Sequence, residues 1–367
     1  MDETVYLAAL NRCFLGNWHT AHKLLQHFGS ARAVFETPQK ELAQLLPGME
    51  VTVRQLGGGS LPDEALRELE YCRREELEAI PIGDDRYPAR LAETPDAPLV
   101  LFSRGSRRLD GARFLSIVGT RHCTPLSKKY CDMVAEFMSS LKVKPVIISG
   151  MAYGIDTWAH QSALRYGLDT IAVIATGLDT TYPASNRNLA LRIVERGAIV
   201  TEYWSGTLPY PGNFVCRNRI VAGMSDGTLV VESRSKGGSL ITARAAFNYN
   251  REVFAFPGKI EDECYAGCNM LIAMDIAHLT RGAADICREL GWASEGRRAA
   301  SRSQSLWNAL PPEKKAVMQA LRRGGAMDAA QIAADCGYGV SQVSYILLEM
   351  EIEGLVRHIS ANKYVNL

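Results

Sequence analysis

The sequence predicts an α/β protein: a Rossmann-like parallel sheet core flanked by an N-terminal helical bundle and a C-terminal winged-helix domain. Three observations carry that expectation. Six short apolar runs alternate strictly with helix-length segments in the middle of the chain, the pattern of a parallel sheet covered on both faces. Apolar residues recur at three-to-four spacing through the first 80 residues. The last 55 residues read as three helices and a strand pair, the winged-helix order.

In residues 1–80 the periodic positions are Leu7, Leu10, Phe14, Leu24, Leu25, Phe28, Val34, Phe35, Leu42, Leu45 and Leu46, interrupted at Gly16, Gly29-Ser30, Pro38 and Pro47-Gly48. Breakers at that density predict a bundle of short helices. The Leu46-Pro47-Gly48-Met49 turn hints at a helix-hairpin-helix, which holds phosphate through backbone groups; a plain packing bundle is the stronger reading, because such turns are common.

From 81 to 290 the expected strands are Leu115–Val118, Val146–Ser149, Thr170–Ile174, Ala198–Thr201, Thr228–Val231 and Val253–Phe256. Helices are expected over 125–141, 156–166, 186–196, 214–223 and 240–250. Residues 291–312 are small, polar and basic and end in Pro311-Pro312, a linker composition, with its mobile part near 294–306. Beyond it, helices at 313–323, 328–335 and 341–353 precede strands Leu355–Ile359 and Tyr364–Leu367.

The charge balance restricts function. With 41 Lys+Arg against 40 Asp+Glu in 367 residues, the chain has no polybasic coat, so any nucleic-acid site is a local patch. The longest uncharged apolar-leaning stretch, Pro145–Ile155, is far shorter than a bilayer requires, so no membrane association is expected. No basic-then-apolar leader follows Met1-Asp2-Glu3, and the nine cysteines are expected as reduced thiols of a cytoplasmic protein. Cys264 and Cys268 lack the second pair or histidine that a zinc site needs, so no metal is expected.

In an open parallel sheet, ligands collect beyond the C-terminal strand ends. The loops there are Gly119-Thr120-Arg121, Ser149–Asp156, Thr176–Asp179, Thr201-Glu202 and Lys236-Gly237-Gly238-Ser239. Their glycines let backbone approach a phosphate at a helix start, where free N–H groups and the helix dipole favour an anion. Glycines that merely make tight turns are the plain alternative; several at one edge favour an anionic ligand. Neither a G-x-G-x-x-G fingerprint nor a Walker lysine is present, so no cofactor is expected. In a helix beginning at Phe214, Phe214, Arg217 and Asn218 share one face, while Arg219 points roughly 200° away from Arg217. Ring, guanidinium and amide together suit stacking, phosphate pairing and base-edge bonding to a single strand.

The ordered set Gly119-Thr120-Arg121, Ser149-Gly150-Met151-Ala152-Tyr153-Gly154-Ile155-Asp156, Thr176-Gly177-Leu178-Asp179, Tyr182-Pro183, Pro211-Gly212-Asn213-Phe214 with Arg217-Asn218-Arg219, Gly238–Arg244 and Gly267-Cys268-Asn269 resembles the DprA/Smf family of DNA-processing proteins. The resemblance covers 81–290 and extends to both flanking regions. It implies a cytoplasmic homodimer that binds single-stranded DNA, protects incoming DNA in natural transformation and helps load the RecA recombinase. The DNA pocket it implies comprises Gly119, Thr120, Arg121, Phe214, Arg217, Asn218, Arg219, Lys236, Gly238 and Ser239. For Arg219 the helical period disagrees with that set. The resemblance also implies a sterile-alpha-motif-like or helix-hairpin-helix-like N-terminal domain.

Two other functions bear on the same loops and on the C-terminal helix. Nucleoside-monophosphate phosphoribohydrolases carry P-G-G-x-G-T-x-x-E at this sheet edge and use its glutamate on the glycosidic bond. Here the loop runs Lys236-Gly237-Gly238-Ser239-Leu240-Ile241-Thr242-Ala243-Arg244-Ala245, with alanine at the carboxylate position and only Asp156, Asp179 and Glu202 nearby. His160, one turn after Asp156, reads as an ordinary helix neighbour. Catalysis is therefore not expected. A sequence-specific regulator would read DNA through 341–353, but that helix has three glutamates and no Lys or Arg, a better protein contact than a DNA reader.

Overall fold

Helix-breaking residues divide the N-terminal region into α1 (Glu3–Cys13), α2 (Trp18–Phe28), α3 (Ala31–Glu36), α4 (Gln39–Leu45), α5 (Glu50–Gly57) and α6 (Ser60–Arg74). The structure is a computed structural model that describes residues 2–106, 109–292, 310–352, 355–359 and 363–366. Helix α2 stops at Gly29, whose φ of 78° supplies the left-handed cap. Ser30 then starts α3 by accepting a hydrogen bond from the Ala33 N–H. Leu10, Phe14, Leu24, Val34, Leu42 and Leu56 form a core that runs on into Leu99, Val100, Phe102 and Trp204 of the sheet region. Polar bolts reinforce the seam: the Asn11 amide donates to the Glu202 carbonyl and accepts from the Leu99 N–H. Bundle and sheet lie in one compact unit, Met1–Ala293; Ser294–Leu367 forms another.

The sheet has nine strands in the order β1-β2-β6-β5-β4-β3-β7-β8-β9. These are β1 (Glu78–Pro81), β2 (Val100–Gly105), β3 (Phe114–Val118), β4 (Val146–Ser149), β5 (Thr170–Val173), β6 (Ala198–Thr201), β7 (Gly227–Val230), β8 (Glu252–Ala255) and β9 (His278–Leu279). All six expected strands are present, and the sequence pattern missed three at the edges. From β6 through β9 neighbouring strands pair in parallel, whereas β2 runs antiparallel to β6 and β1 antiparallel to β2. The central strands β3 to β7 are buried throughout, as a sheet covered on both faces requires.

A short helix α7 (Ala89–Ala92) precedes β2. The connecting helices are α8 (Pro125–Ser139), α9 (Ile155–Arg165), α10 (Arg187–Arg196), α11 (Pro211–Gly223) and α12 (Ser239–Asn248), followed by α13 (Ala266–Ala273) and α14 (Ala283–Glu289). Helix α11 begins three residues before the expected Phe214 because Pro211, lacking an N–H and fixed near helical φ, suits the first turn.

The second unit contains α15 (Pro312–Gly324), β10 (Met327–Asp328), α16 (Ala329–Cys336), α17 (Val340–Ile352), β11 (Val356–Ile359) and β12 (Lys363–Asn366). Its strands pair in the order β10-β12-β11, and Val317, Leu321, Ile332, Val343, Leu347 and Met350 form its core. Asp328 and Gln331 close a capping box at the start of α16. This is the winged-helix arrangement. Nearly all of the expected linker, including 294–306, lies outside the described residues.

Candidate nucleic-acid interface

Strand β3 leads through α8 to β4 on one side, and its other neighbour β7 leads through α12 to β8 on the opposite side. The crevice at their C-terminal ends is the topological switch point, where doubly wound sheets hold ligands. A cleft of about 270 Å³ opens there. Gly119, Thr120 and Arg121 line it from the end of β3, Phe214, Arg217 and Asn218 from α11, and Gly238 and Ser239 from the start of α12. Eight of the ten residues expected at the site thus meet around one cleft.

Backbone hydrogen bonds fix the Arg121 loop. The Thr120 N–H donates to the Glu232 carbonyl at 2.8 Å, and the Thr120 carbonyl accepts from Ile155 at 3.1 Å. Buried Glu232 also accepts from the N–H and hydroxyl of Thr124, at 2.9 and 2.8 Å. The glycines divide into two kinds. A Cβ on Gly119 would lie 2.5 Å from Ile155 Cγ1, and one on Gly150 would lie 2.4 Å from an Arg217 nitrogen. Gly154, at φ 76°, would strike the Thr120 carbonyl at 2.2 Å. These three exist for close packing, the plain reading of a glycine turn. Among the glycines that line the cleft, only Gly238, at a helix start, has open space where its Cβ would be.

Charge is concentrated around Phe214. The Arg121 guanidinium, on an exposed side chain, lies 5.3 Å from the ring centroid, and that of Arg217 lies 6.0 Å from it. Arg217 is buried, and its Nη1 donates to the carbonyls of Gly150 and Val173. Burial pushes its pKa down, opposed by the carboxylate of Asp156. Burial in turn pushes Asp156 up, with Arg217 the chief opposing influence. Beneath them His160 is wholly buried, its Nδ1 2.7 Å from the Thr170 hydroxyl; burial lowers its pKa to about 3, with Arg217 adding to the effect. The cleft floor therefore carries a fixed guanidinium, and its rim carries an adaptable one.

Two expected residues lie elsewhere. Lys236 lines a neighbouring depression with Thr120, Arg234, Ser235 and Gly237. Arg219 points to the opposite side of α11, as the helical period requires. It bonds Glu202 at 2.6 Å and lies 3.6 Å over the Trp18 ring, and Trp18 Nε1 donates to the same carboxylate at 2.8 Å. The Ser239 hydroxyl turns inward to Ser233 at 2.9 Å. Of the three carboxylates weighed for catalysis, only Asp156 lines the cleft; Asp179 holds the Gly206 N–H and Glu202 holds Arg219.

Sequence reasoning missed Tyr182 and Tyr153 as neighbours of the site. The Tyr182 ring lies 5.3 Å from Phe214, and Tyr153 lies 6.4 Å from Tyr182. It also missed a second cavity of about 510 Å³ on the far side of these tyrosines, between α10 and strands β2, β5 and β6. The smaller cleft remains the candidate site because it lies at the switch point and gathers the helix start, the ring and the paired arginines.

A doubly wound sheet with arginines at its switch point and no dinucleotide fingerprint is a Rossmann-like frame without the usual cofactor marks, here followed in the chain by a winged helix. A family model described as DNA recombination-mediator protein A matches residues 78–291, and another described as the DprA winged helix domain matches 302–362. The DNA processing protein DprA of Streptococcus pneumoniae is 42% identical over 203 residues, 55% of this chain and 70% of that protein. Protein Smf of Escherichia coli is 38% identical over 194 residues, 53% of this chain and 51% of that protein. The X-ray structure of the Streptococcus pneumoniae DprA superposes with a TM-score of 0.63 at 31% identity, covering 78% of this chain and 97% of that one. DNA processing protein A from Helicobacter pylori, described for its single-stranded DNA binding mode, gives a TM-score of 0.53 at 29% identity over 59% of this chain and 95% of that one. This chain belongs to the DNA recombination-mediator protein A family, that of the DprA and Smf proteins.

Proposed function

We propose that the switch-point cleft binds single-stranded DNA. In this reading the protein is a cytoplasmic homodimer that shields incoming strands and helps load a RecA-type recombinase on them during transformation or recombination. The observation that carries the reading is the Phe214 ring with two guanidinium groups within 6.0 Å, one rigid and one exposed, beside an open helix start. Rings for base stacking and cations for phosphate are the combination that unpaired strands require. Family membership and the single-strand description of the Helicobacter pylori neighbour support it.

The direct contacts in this reading are Gly119, Thr120, Arg121, Phe214, Asn218 and Gly238. Arg217 supplies positive potential from the floor, Lys236 steers from the adjoining depression, and Arg219 holds the scaffold. The working regions are 1–80, 81–290 and 313–367, joined by 291–312. No catalysis is proposed, because Ala245 stands where the ribohydrolase loop carries its glutamate, and the one carboxylate lining the cleft, Asp156, is buried in the field of Arg217.

Titration with labelled oligonucleotides across salt tests this. Arg121→Ala is expected to weaken single-strand binding by about 1–3 kcal/mol and to flatten the log-affinity against log-salt slope by about 0.7 per lost phosphate contact. Phe214→Ala is expected to cost about 1–3 kcal/mol through lost stacking and to leave the slope unchanged. Duplex DNA should bind more weakly, since a paired base cannot stack on Phe214. Unaltered binding by both variants refutes the site. Release of free base from AMP, abolished by Asp156→Asn, would instead establish the ribohydrolase reading.

A further inference from the structure

We propose that the cavity beside α10 is a second seat for the same DNA strand, reached from the switch-point cleft across Tyr182 and Tyr153. The inference rests on the single-strand reading of the first cleft and extends it. At about 510 Å³ the cavity is the larger of the two. Met151, Ile174 and Ile199 give it apolar walls, and Leu191 on α10 adds an aliphatic surface that is 61% exposed. Arg104 and Arg187 also line it, half-buried and exposed respectively, and neither is paired with a carboxylate among the described residues. Asp179 also lines the cavity and keeps its negative charge, its two oxygens 3.1 and 3.0 Å from the Gly206 N–H. The cavity therefore offers apolar surface for bases and two guanidinium groups against one carboxylate, a net positive lining for phosphates.

Continuity with the first cleft selects the occupant. Ala152 lines the smaller cleft and its neighbour Met151 the larger, and Tyr153 follows directly, 48% exposed. Tyr182 lies between Phe214 of the smaller cleft and Thr181 and Ala184 of the larger, so Phe214, Tyr182 and Tyr153 form an unbroken aromatic row. Aromatic platforms in series beside unpaired guanidinium groups suit consecutive nucleotides of one strand. A separate mononucleotide site at this sheet edge would use a glycine loop opening a helix for its terminal phosphate. The larger cavity has none: α10 is entered through Pro183 and a 3-10 turn, Ala184–Asn186.

The experiment measures affinity of the full chain for oligothymidylates of two to about twenty nucleotides, spanning the usual single-strand site sizes. The variants are Arg104→Ala/Arg187→Ala, Tyr153→Ala and, as control, Arg121→Ala; thermal melts verify that each folds. For the parent, affinity should rise in two stages with length. The double arginine variant should retain the affinity of the shortest bound oligomer within about twofold and lose the second stage, about tenfold on the longest, or ~1.4 kcal/mol. Tyr153→Ala should behave alike, with a smaller loss and an unchanged salt slope. Equal losses at every length, or none at any length while Arg121→Ala still weakens binding, overturn the second seat. So does thymidine monophosphate binding that Arg187→Ala abolishes and Arg121→Ala spares. If Arg121→Ala leaves even short oligomers bound as in the parent, the first cleft itself is misread.

Discussion

Arg217 and Arg219 stand two residues apart on α11, both buried, yet they belong to different parts of the molecule. Arg217 faces the cleft, its charge held by two carbonyls and the field of Asp156. Arg219 faces the N-terminal bundle, held by Glu202 and covered by Trp18. Two residues turn a helix by about 200°, so one guanidinium faces the cleft and the other a domain seam. Sequence adjacency to a site therefore says little about membership of it; helical phase decides. Both arginines obey the same constraint, that a buried charge needs compensation, and only the compensating partners reveal the role.

The largest effect expected from this difference is on stability. Arg219→Ala leaves the Glu202 carboxylate buried at the seam with only Trp18 as a side-chain donor, and should cost about 3–5 kcal/mol in chemical unfolding. The fraction that remains folded should bind single strands within about twofold of the parent. Replacing both partners, as Arg219→Met with Glu202→Gln, should recover much of the loss, because neither charge is then stranded. A variant of parental stability that no longer binds DNA would erase the distinction between the two faces and return Arg219 to the DNA site.

A pH effect of middle size comes from the cleft side. His160 titrates near 3 in the fold against 6.5 when unperturbed, because burial excludes its charged form and Arg217 repels it. The unfolded chain therefore takes up the proton first as pH falls. Stability from this residue is complete above about 6.5 and declines through the window down to about 3, by ~2 kcal/mol at pH 5. Urea midpoints at pH 7.5 and 5.0 measure the decline, and His160→Gln should remove that part of it. An identical decline in parent and variant would mean that the imidazole is already protonated or solvated in the fold, contrary to its burial beneath Arg217.

Much of this was legible in the sequence, and the failures share a cause. The six central strands are continuous apolar runs because both their faces are buried, and that signal is local. The edge strands carry weaker signals. β1 is four residues ending in Pro81, β9 is the exposed pair His278-Leu279, and β2, with its apolar run Leu99–Phe102, stands outside the strand/helix alternation that marks the six central strands. Its antiparallel pairing, Phe102 with Thr201, joins segments about 100 residues apart and has no local signature. At the site, Phe214, Arg217 and Asn218 were found through the helical period, and the same period placed Arg219 apart from them. Trp18 as the partner of Arg219, and Tyr153 with Tyr182 as a row beside Phe214, depend on contacts between distant loops, which no spacing rule supplies.

The smallest effect is expected from a third helix. α17 occupies the recognition position of the winged-helix unit, and its exposed side chains include Val340, Tyr345 and Leu348. Over Val340–Ile352 it has no Lys or Arg and two glutamates, Glu349 and Glu351, whereas α11 supplies the cleft with Arg217 and an aromatic ring. DNA affinity comes chiefly from phosphate neutralisation, so a recognition helix without cations adds little to it. Removing Ser294–Leu367 should therefore change single-strand affinity by less than about threefold, or ~0.7 kcal/mol, and leave the salt slope close to that of the full chain. The measurement is the same salt-series titration, with the truncated chain verified by its thermal melt. If truncation abolishes binding while Arg121→Ala in the full chain is silent, the strand is held by the winged-helix unit, and the two faces of α11 differ only in what they pack against.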